Sequence, residues 1–283
     1  MNLLQSILMG IVQGLSEFLP ISSSAHLVFT SNFYKVIKNI PIAEQSTEEV
    51  FFDIMLHLGT LIAVLIFFRK DVWEICKALF VAIKKKDYSE KNAKLGLYII
   101  AGTIVTIALA LPFHDVANDL VFHPALVGGL LIITGGVLFF SEYLSKKHGG
   151  GTDDCKMTIK QALLIGLAQG FAVLPGFSRS GWTMATGLFT GLDRKTAARY
   201  SFLLSIPIIL GASMVYPLVK IDVHEALTYN WTAIILGTLV SGAVGYLCIK
   251  YFMKFISKFS LNIFGYYCVI MGIFTLIFFN IYK

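Results

Sequence analysis

VQGLSEFLPISSSAHL, residues 12–27, is the stretch on which the fold turns. It is apolar enough to enter a membrane, yet it carries Gln13, Glu17, Ser22, Ser23, Ser24 and His26 around a central Pro20. In hydrocarbon each of these groups is costly, and irregular backbone survives at membrane depth only where it is buried in protein or lines a cavity. Such a stretch reads as the broken tip of a re-entrant hairpin rather than as a span.

The rest of the chain fits an all-α integral membrane protein. Of its 283 residues 56% are hydrophobic and 14% charged, whereas about a quarter of a soluble domain is charged. Apolar runs at about 54–68, 95–113, 125–144, 200–219, 231–249 and 261–281 approach the ~20 residues that cross a bilayer. The N-terminal segment has no basic n-region and no small-residue cleavage site, so it is expected to be mature protein. Cys76, Cys155, Cys248 and Cys268 are scattered without metal or redox spacing and read as packing residues. The net charge of +6 is not taken as a nucleic-acid signal, because in a membrane protein the placement of Lys and Arg matters more than their sum.

That placement sets a topology. Arg69, Lys70, Lys77, Lys84, Lys85, Lys86, Lys91 and Lys94 form one basic group, Lys146, Lys147, Lys156 and Lys160 a second, and Lys250, Lys254 and Lys258 a third. These loops, with Arg194, Lys195 and Arg199, are expected inside. PFHDVANDLVFHP, 112–124, has no Lys or Arg, KIDVHEALTYN, 220–230, has one, and both are expected outside. DVWEICKALFVAIKKK is too polar to span and reads as an amphipathic helix on the inner surface.

A repeat is hidden in the chain. GIVQG…FLPISSS in the first half is answered by GLAQG…VLPGFSRS in the second, and GGLLIITGGVLFF by GYYCVIMGIFTLIFF. The expected organisation is two inverted-topology repeats, 1–148 and 149–283, each a re-entrant helix hairpin plus three transmembrane helices. The hairpins fall at about 3–50 and 160–192, and the spans at about 54–68, 95–113 and 125–144, then 197–219, 231–249 and 261–281. Three spans per half invert the second half, the first hairpin opens to the outside, and SSSAH meets SRS near the midplane.

The residues at the two tips suit phosphate chemistry. Gln13 and Glu17 share a helical face, the serines after Pro20 start a helix whose N-terminus favours anions, and Ser23 and His26 are spaced to meet as hydroxyl and base. In PGFSRSGWT, Arg179 lies between Ser178 and Ser180, with Thr183 beyond, and offers a planar fork of donors to phosphate oxygens. The plain alternatives are that the serines only cap, that His26 is a core histidine and that Arg179 only neutralises Glu17. One carboxylate, one imidazole, one guanidinium and several hydroxyls suit phosphoryl transfer. A divalent cation, Mg2+ or another such as Ca2+, is expected to bridge Glu17 and a diphosphate. His57 either faces this site or packs, Asp53 either caps its span or holds a second cation, and Asp193 reads as an N-cap. Gly128, Gly129, Gly135 and Gly136 read as helix-packing residues.

At these two motifs the chain resembles the undecaprenyl-diphosphate phosphatase family, also called the bacitracin resistance protein family. The matching residues are Gln13 to Glu17, then Ser22, Ser23 and His26, and Pro175 to Thr183; HLGTLIAV and SFLLSIP extend the likeness. The resemblance implies hydrolysis of a polyprenyl diphosphate to the monophosphate and inorganic phosphate, which recycles the lipid carrier of cell-wall synthesis in the cell membrane. By residue it implies Glu17 at the metal, Arg179 clamping the diphosphate, Ser22, Ser178 and Thr183 on phosphate oxygens, Ser23 as nucleophile and His26 as acid or base; Gln13, Ser24 and Ser180 are counted with the substrate-binding set. The family often has Glu where this chain has Gln13, so Gln13 is expected to orient water or Glu17 instead of binding metal. Hydrolysis is expected on the extracytoplasmic side, by a monomer or a homodimer. The competing readings are a polyprenyl-phosphate flippase on the same inverted scaffold, a phosphatidic-acid-type phosphatase, whose Lys and Arg-Pro opening is missing, and a structural protein.

Overall fold

The computed structural model describes residues 2–39, 42, 45–147 and 157–282; His148, Cys155, Lys156 and Lys283 lie outside the described residues. Among the described residues the regular structure is helical: α1 Leu3–Ser16, α2 Ser23–Ile37, α3 Thr47–Phe67, α4 Arg69–Lys85, α5 Lys91–Leu120, α6 Pro124–Lys147, α7 Ile159–Phe171, α8 Arg179–Phe189, α9 Arg194–Lys220, α10 Val223–Ala226, α11 Trp231–Ile256 and α12 Asn262–Ile281. Six of them, α3, α5, α6, α9, α11 and α12, are long and apolar enough to cross a membrane. The protein is a multi-pass membrane protein.

Several elements outrun the apolar runs that announced them. The 54–68 run is the inner part of a 21-residue helix that starts at Thr47, where Ser46 and Glu49 cap each other reciprocally. The acidic first turn, Glu48 and Glu49, hides this start from a hydropathy reading while suiting the helix dipole. The 112–124 segment, expected as an outer loop, is helical as far as Leu120 within the 30 residues of α5. Pro112 deletes one backbone hydrogen bond, but later turns can still form. The helix expected on the inner surface is α4, which buries Ile75, Ala78 and Ala82 and exposes Trp73 and Phe80. Asp193 accepts from Thr196 N–H as the N-cap of α9.

Helix pairing follows one plan in both halves. α1 packs on α11 as α7 packs on α5, α3 packs on α11 as α9 packs on α5, and α3 meets α9 while α6 meets α12. Glycines allow the close approaches: a Cβ on Gly14 would meet Ser241 O at 2.7 Å, and one on Gly166 would meet Gly102 O at 2.6 Å. Only one glycine of each expected pair does this work on α6. Gly128 and Gly135 lie against α12, whereas Gly129 and Gly136 face open space. Cys248 and Cys268 are buried among the helices and Cys76 is exposed. At the end of α6 the buried Glu142 takes a bidentate contact from Arg194 and accepts from Leu261 N–H, and Arg199 binds Asp71 of α4. These contacts anchor the start of α9 and so the position of the second hairpin beside it.

Candidate active site

The two broken segments, α1–α2 and α7–α8, bring their tips together. Each second helix is started by a serine: Ser22 Oγ accepts from Ala25 N–H, and Ser178 Oγ from Gly181 N–H. Ser22 sits at φ +68° and Gly176 at φ +101°. At Gly176 a glycine is needed twice over, since a Cβ there would lie 2.6 Å from both Val127 O and Leu130 Cβ. The tips are joined directly: Gly176 N–H donates to Ser22 Oγ (3.3 Å), and Ser180 Oγ donates to Leu19 O (3.0 Å).

Glu17 is the hub. Its side chain is 4% exposed, and its two carboxylate oxygens take different partners. Arg179 Nη2 donates to Oε1 at 2.6 Å. Gln13 Nε2 at 2.9 Å and Ser23 Oγ at 2.6 Å donate to Oε2, and His57 Nε2 lies 3.7 Å from the same atom. Arg179 spends only one terminal nitrogen on this pair. Its Nη1 is buried with no partner, and so are Gln13 Oε1 and Gln169 Oε1. A buried donor or acceptor without a partner costs about 1–3 kcal/mol, so three of them around one carboxylate and one cavity mark a place built for a ligand.

The cavity holds about 330 Å³. Its polar wall is Glu17, Ser22, Ser23, Ser24, His57 and Arg179, joined by Ser178 and Ser180, and its far side carries Thr106, Gln169 and Ser213 among apolar residues such as Ile208 and Ile209. A strongly cationic fork, hydroxyls and helix N-termini in a mostly apolar cleft can hold a polar anionic head joined to an apolar tail.

The sequence pattern of the family described as Bacitracin resistance protein BacA matches residues 6–274. The chain belongs to the BacA family. Its relatives include undecaprenyl-diphosphatases of Methanobrevibacter smithii, 40% identical with 96% of each chain covered, and of Methanosphaera stadtmanae, 39% identical with 98% of each covered. The enzyme of the same name in Halothermothrix orenii is 38% identical, again over 98% of each chain.

The BacA motifs do not all reach the cavity. Glu17, Ser22, Ser23, Ser24, Ser178, Arg179 and Ser180 line it. Gln13 stands behind Glu17 and holds it through Nε2. Thr183, expected on phosphate, is fully buried one turn into α8, bonded to Arg179 O and to Ser201 Oγ of α9. It ties two helices, because its place on α8 turns it away from the tip. His26 also differs from expectation: Ser23 gives its hydroxyl to Glu17, while His26 Nδ1 lies 2.8 Å from Ser22 O and Nε2 lies 2.7 Å from Tyr267 OH on α12. The imidazole lining the cavity is that of His57, whose Nδ1 is 2.8 Å from Asp53 O. That carbonyl accepts the Nδ1 proton and leaves Nε2 facing Glu17. Gln169, Thr106 and Ser213 escaped the motif reading; for Gln169 a signal was present, since the repeat places it opposite Gln13.

A hard cation has oxygens to meet here. Gln13 Oε1 is an unpartnered buried carbonyl beside the Glu17 carboxylate. Among the described residues no group of three or more His, Cys, Asp or Glu is placed to hold a metal, so protein ligands alone make no cage. Mg2+ is commonly held by one or two protein oxygens together with substrate phosphates, and the donor set fits that mode.

Proposed function

We propose that this chain is a membrane undecaprenyl-diphosphatase that hydrolyses a polyprenyl diphosphate to the monophosphate and inorganic phosphate, recycling a lipid carrier and so protecting against bacitracin. The observation that carries this reading is the Glu17–Arg179 pair, formed across the two hairpin tips at 2.6 Å with Arg179 Nη1 left without a partner. If Arg179 served only to neutralise Glu17, no donor would need to stay buried and unmet. The free Nη1, with Ser22, Ser24, Ser178 and Ser180, offers donors to a diphosphate, while the apolar side of the cleft suits the first isoprene units.

In this reading Ser23 Oγ bonds to the terminal phosphorus as the anhydride bond to the bridging oxygen breaks; polyprenyl monophosphate leaves with the bonding pair, and the Ser23 proton passes to it by way of Glu17 Oε2, which already accepts that hydroxyl. His26, one turn further along α2, serves as acid or base when its Nε2 exchanges Tyr267 for the reacting groups. A divalent cation would be held by Glu17 and the substrate phosphates, and would offset phosphate charge, with Gln13 orienting the carboxylate. The matched helix pairings of the two halves support inverted repeats, 1–148 and 149–283. Their inside-positive loops support a site open to the extracytoplasmic face of the cell membrane.

The test is phosphate release from a polyprenyl diphosphate by purified protein in detergent with Mg2+. Wild type should release phosphate, and Arg179→Ala and Ser23→Ala should each lose at least about 100-fold. A folded wild type that releases none would overturn the enzyme reading and leave the flippase.

A further inference from the structure

The side chain of Gln169 has no role in the motifs, yet its geometry is tightly specified. Gln169 is 3% exposed and lines the cavity. Its Nε2 lies 3.2 Å from Thr106 Oγ1. That hydroxyl has a single hydrogen, already directed at Gly102 O (2.8 Å) and Gly166 O (2.9 Å), so Thr106 can only accept from Gln169. The amide is thereby locked with its nitrogen toward α5, and Oε1 is left as a buried acceptor without a partner. Unlike the guanidinium and hydroxyls of the cavity, and like the Glu17 carboxylate, this carbonyl has no proton to offer an anion. A fully ionised phosphate oxygen would be repelled by it. What it can take is a cation or a neutral donor, and hydrolysis requires one of the second kind: water.

We propose that Gln169 Oε1 accepts a hydrogen bond from the hydrolytic water and orients it on the phosphoryl group, an inference that rests on the phosphatase reading above. In the dephosphorylation step the water oxygen forms a bond to phosphorus as the bond from phosphorus to Ser23 Oγ breaks. The bonding pair leaves with Oγ, one water proton passes to Oγ to restore the hydroxyl, and hydrogen phosphate departs. Gln169 holds the water throughout and gains no net proton. A glutamine that orients an attacking water is an established device in phosphoryl transfer. Here Thr106 supplies the lock that turns the carbonyl to the cavity.

The experiment is competition between water and methanol during hydrolysis of farnesyl diphosphate by the purified full chain in detergent with Mg2+, scoring inorganic phosphate against methyl phosphate. Gln169→Met keeps the volume and removes the acceptor; it should lower kcat at least tenfold, leave KM within twofold and raise the share of methyl phosphate at least threefold. Thr106→Val leaves Gln169 in place but unlocks it, so the same product shift should appear at smaller size even if Gln169→Met fails to fold. An unchanged product ratio in folded variants, or a raised KM at constant kcat, would overturn the inference while the phosphatase reading stood. A wild type that releases no phosphate from any polyprenyl diphosphate would sink the reading itself.

Discussion

Arg179 and Glu17 divide two jobs between them. Because both are largely buried, removing the carboxylate leaves an uncompensated cation. Glu17→Ala should therefore destabilise the fold by ~3–5 kcal/mol as well as abolish turnover, seen as a lowered midpoint of thermal unfolding in detergent. Arg179→Lys keeps the charge and can keep one contact to Glu17, but it lacks the second arm of the fork. It should melt close to wild type and lose at least about 100-fold in kcat/KM. His26 offers a separate test. If Tyr267 only parks its ring, Tyr267→Phe should change kcat by less than about threefold while His26→Ala abolishes activity; equal loss in both variants would place the tyrosine hydroxyl in the chemistry. Residue types were the most legible part of the site, since a carboxylate, an arginine and serines beside prolines in an apolar chain admit few bland explanations. What spacing left unsettled was direction. Ser23 and His26 are three residues apart and were expected to meet, but the nearer acceptor for the serine is Glu17, which the turn through Pro20 swings to its side. Thr183 shows the same point, since it bonds Arg179 O and Ser201 Oγ and a motif does not say which residues turn toward the cavity and which toward the next helix.

At the scale of elements, the hairpins depend on a few backbone positions and the spans on small residues. Gly176→Ala would force a side chain onto left-handed backbone and into Val127 and Leu130. The expected cost is ~3 kcal/mol, and phosphate release should fall with it because Ser178 and Arg179 follow directly. On α6 the two glycines of each pair should behave oppositely. Gly129→Ala meets open space and should stabilise by ~0.5–1 kcal/mol. Gly128→Ala would push a methyl group to 2.4 Å from Thr275 Oγ1 and should lower the melting midpoint. The spans were legible in the apolar runs, and α4 in its mixed polarity. Their ends were not, because a capped acidic turn as in α3, or a proline tolerated within a helix as in α5, extends a helix beyond the hydrocarbon signal that reveals it.

For the molecule as a whole, the repeat carries the expectation that the two halves contribute one tip each to a single site. The repeat could be read because its marks, Gln-Gly and a proline followed within three residues by serine, stand out in otherwise apolar segments. Orientation is testable by impermeant thiol labelling in a background lacking other cysteines. Asp115→Cys should react in intact cells and Lys85→Cys only after permeabilisation, and the reverse pattern would invert the topology. The claim that the tips form one diphosphate site is tested most directly by calorimetric titration of the folded protein with a methylene-bridged polyprenyl diphosphonate, which cannot be hydrolysed. Binding should weaken at least tenfold in Ser22→Ala, from the first tip, and in Arg179→Ala, from the second, and wild type should bind the polyprenyl monophosphonate less tightly than the diphosphonate. Undiminished affinity after loss of either tip's residue would contradict a site shared between the two halves.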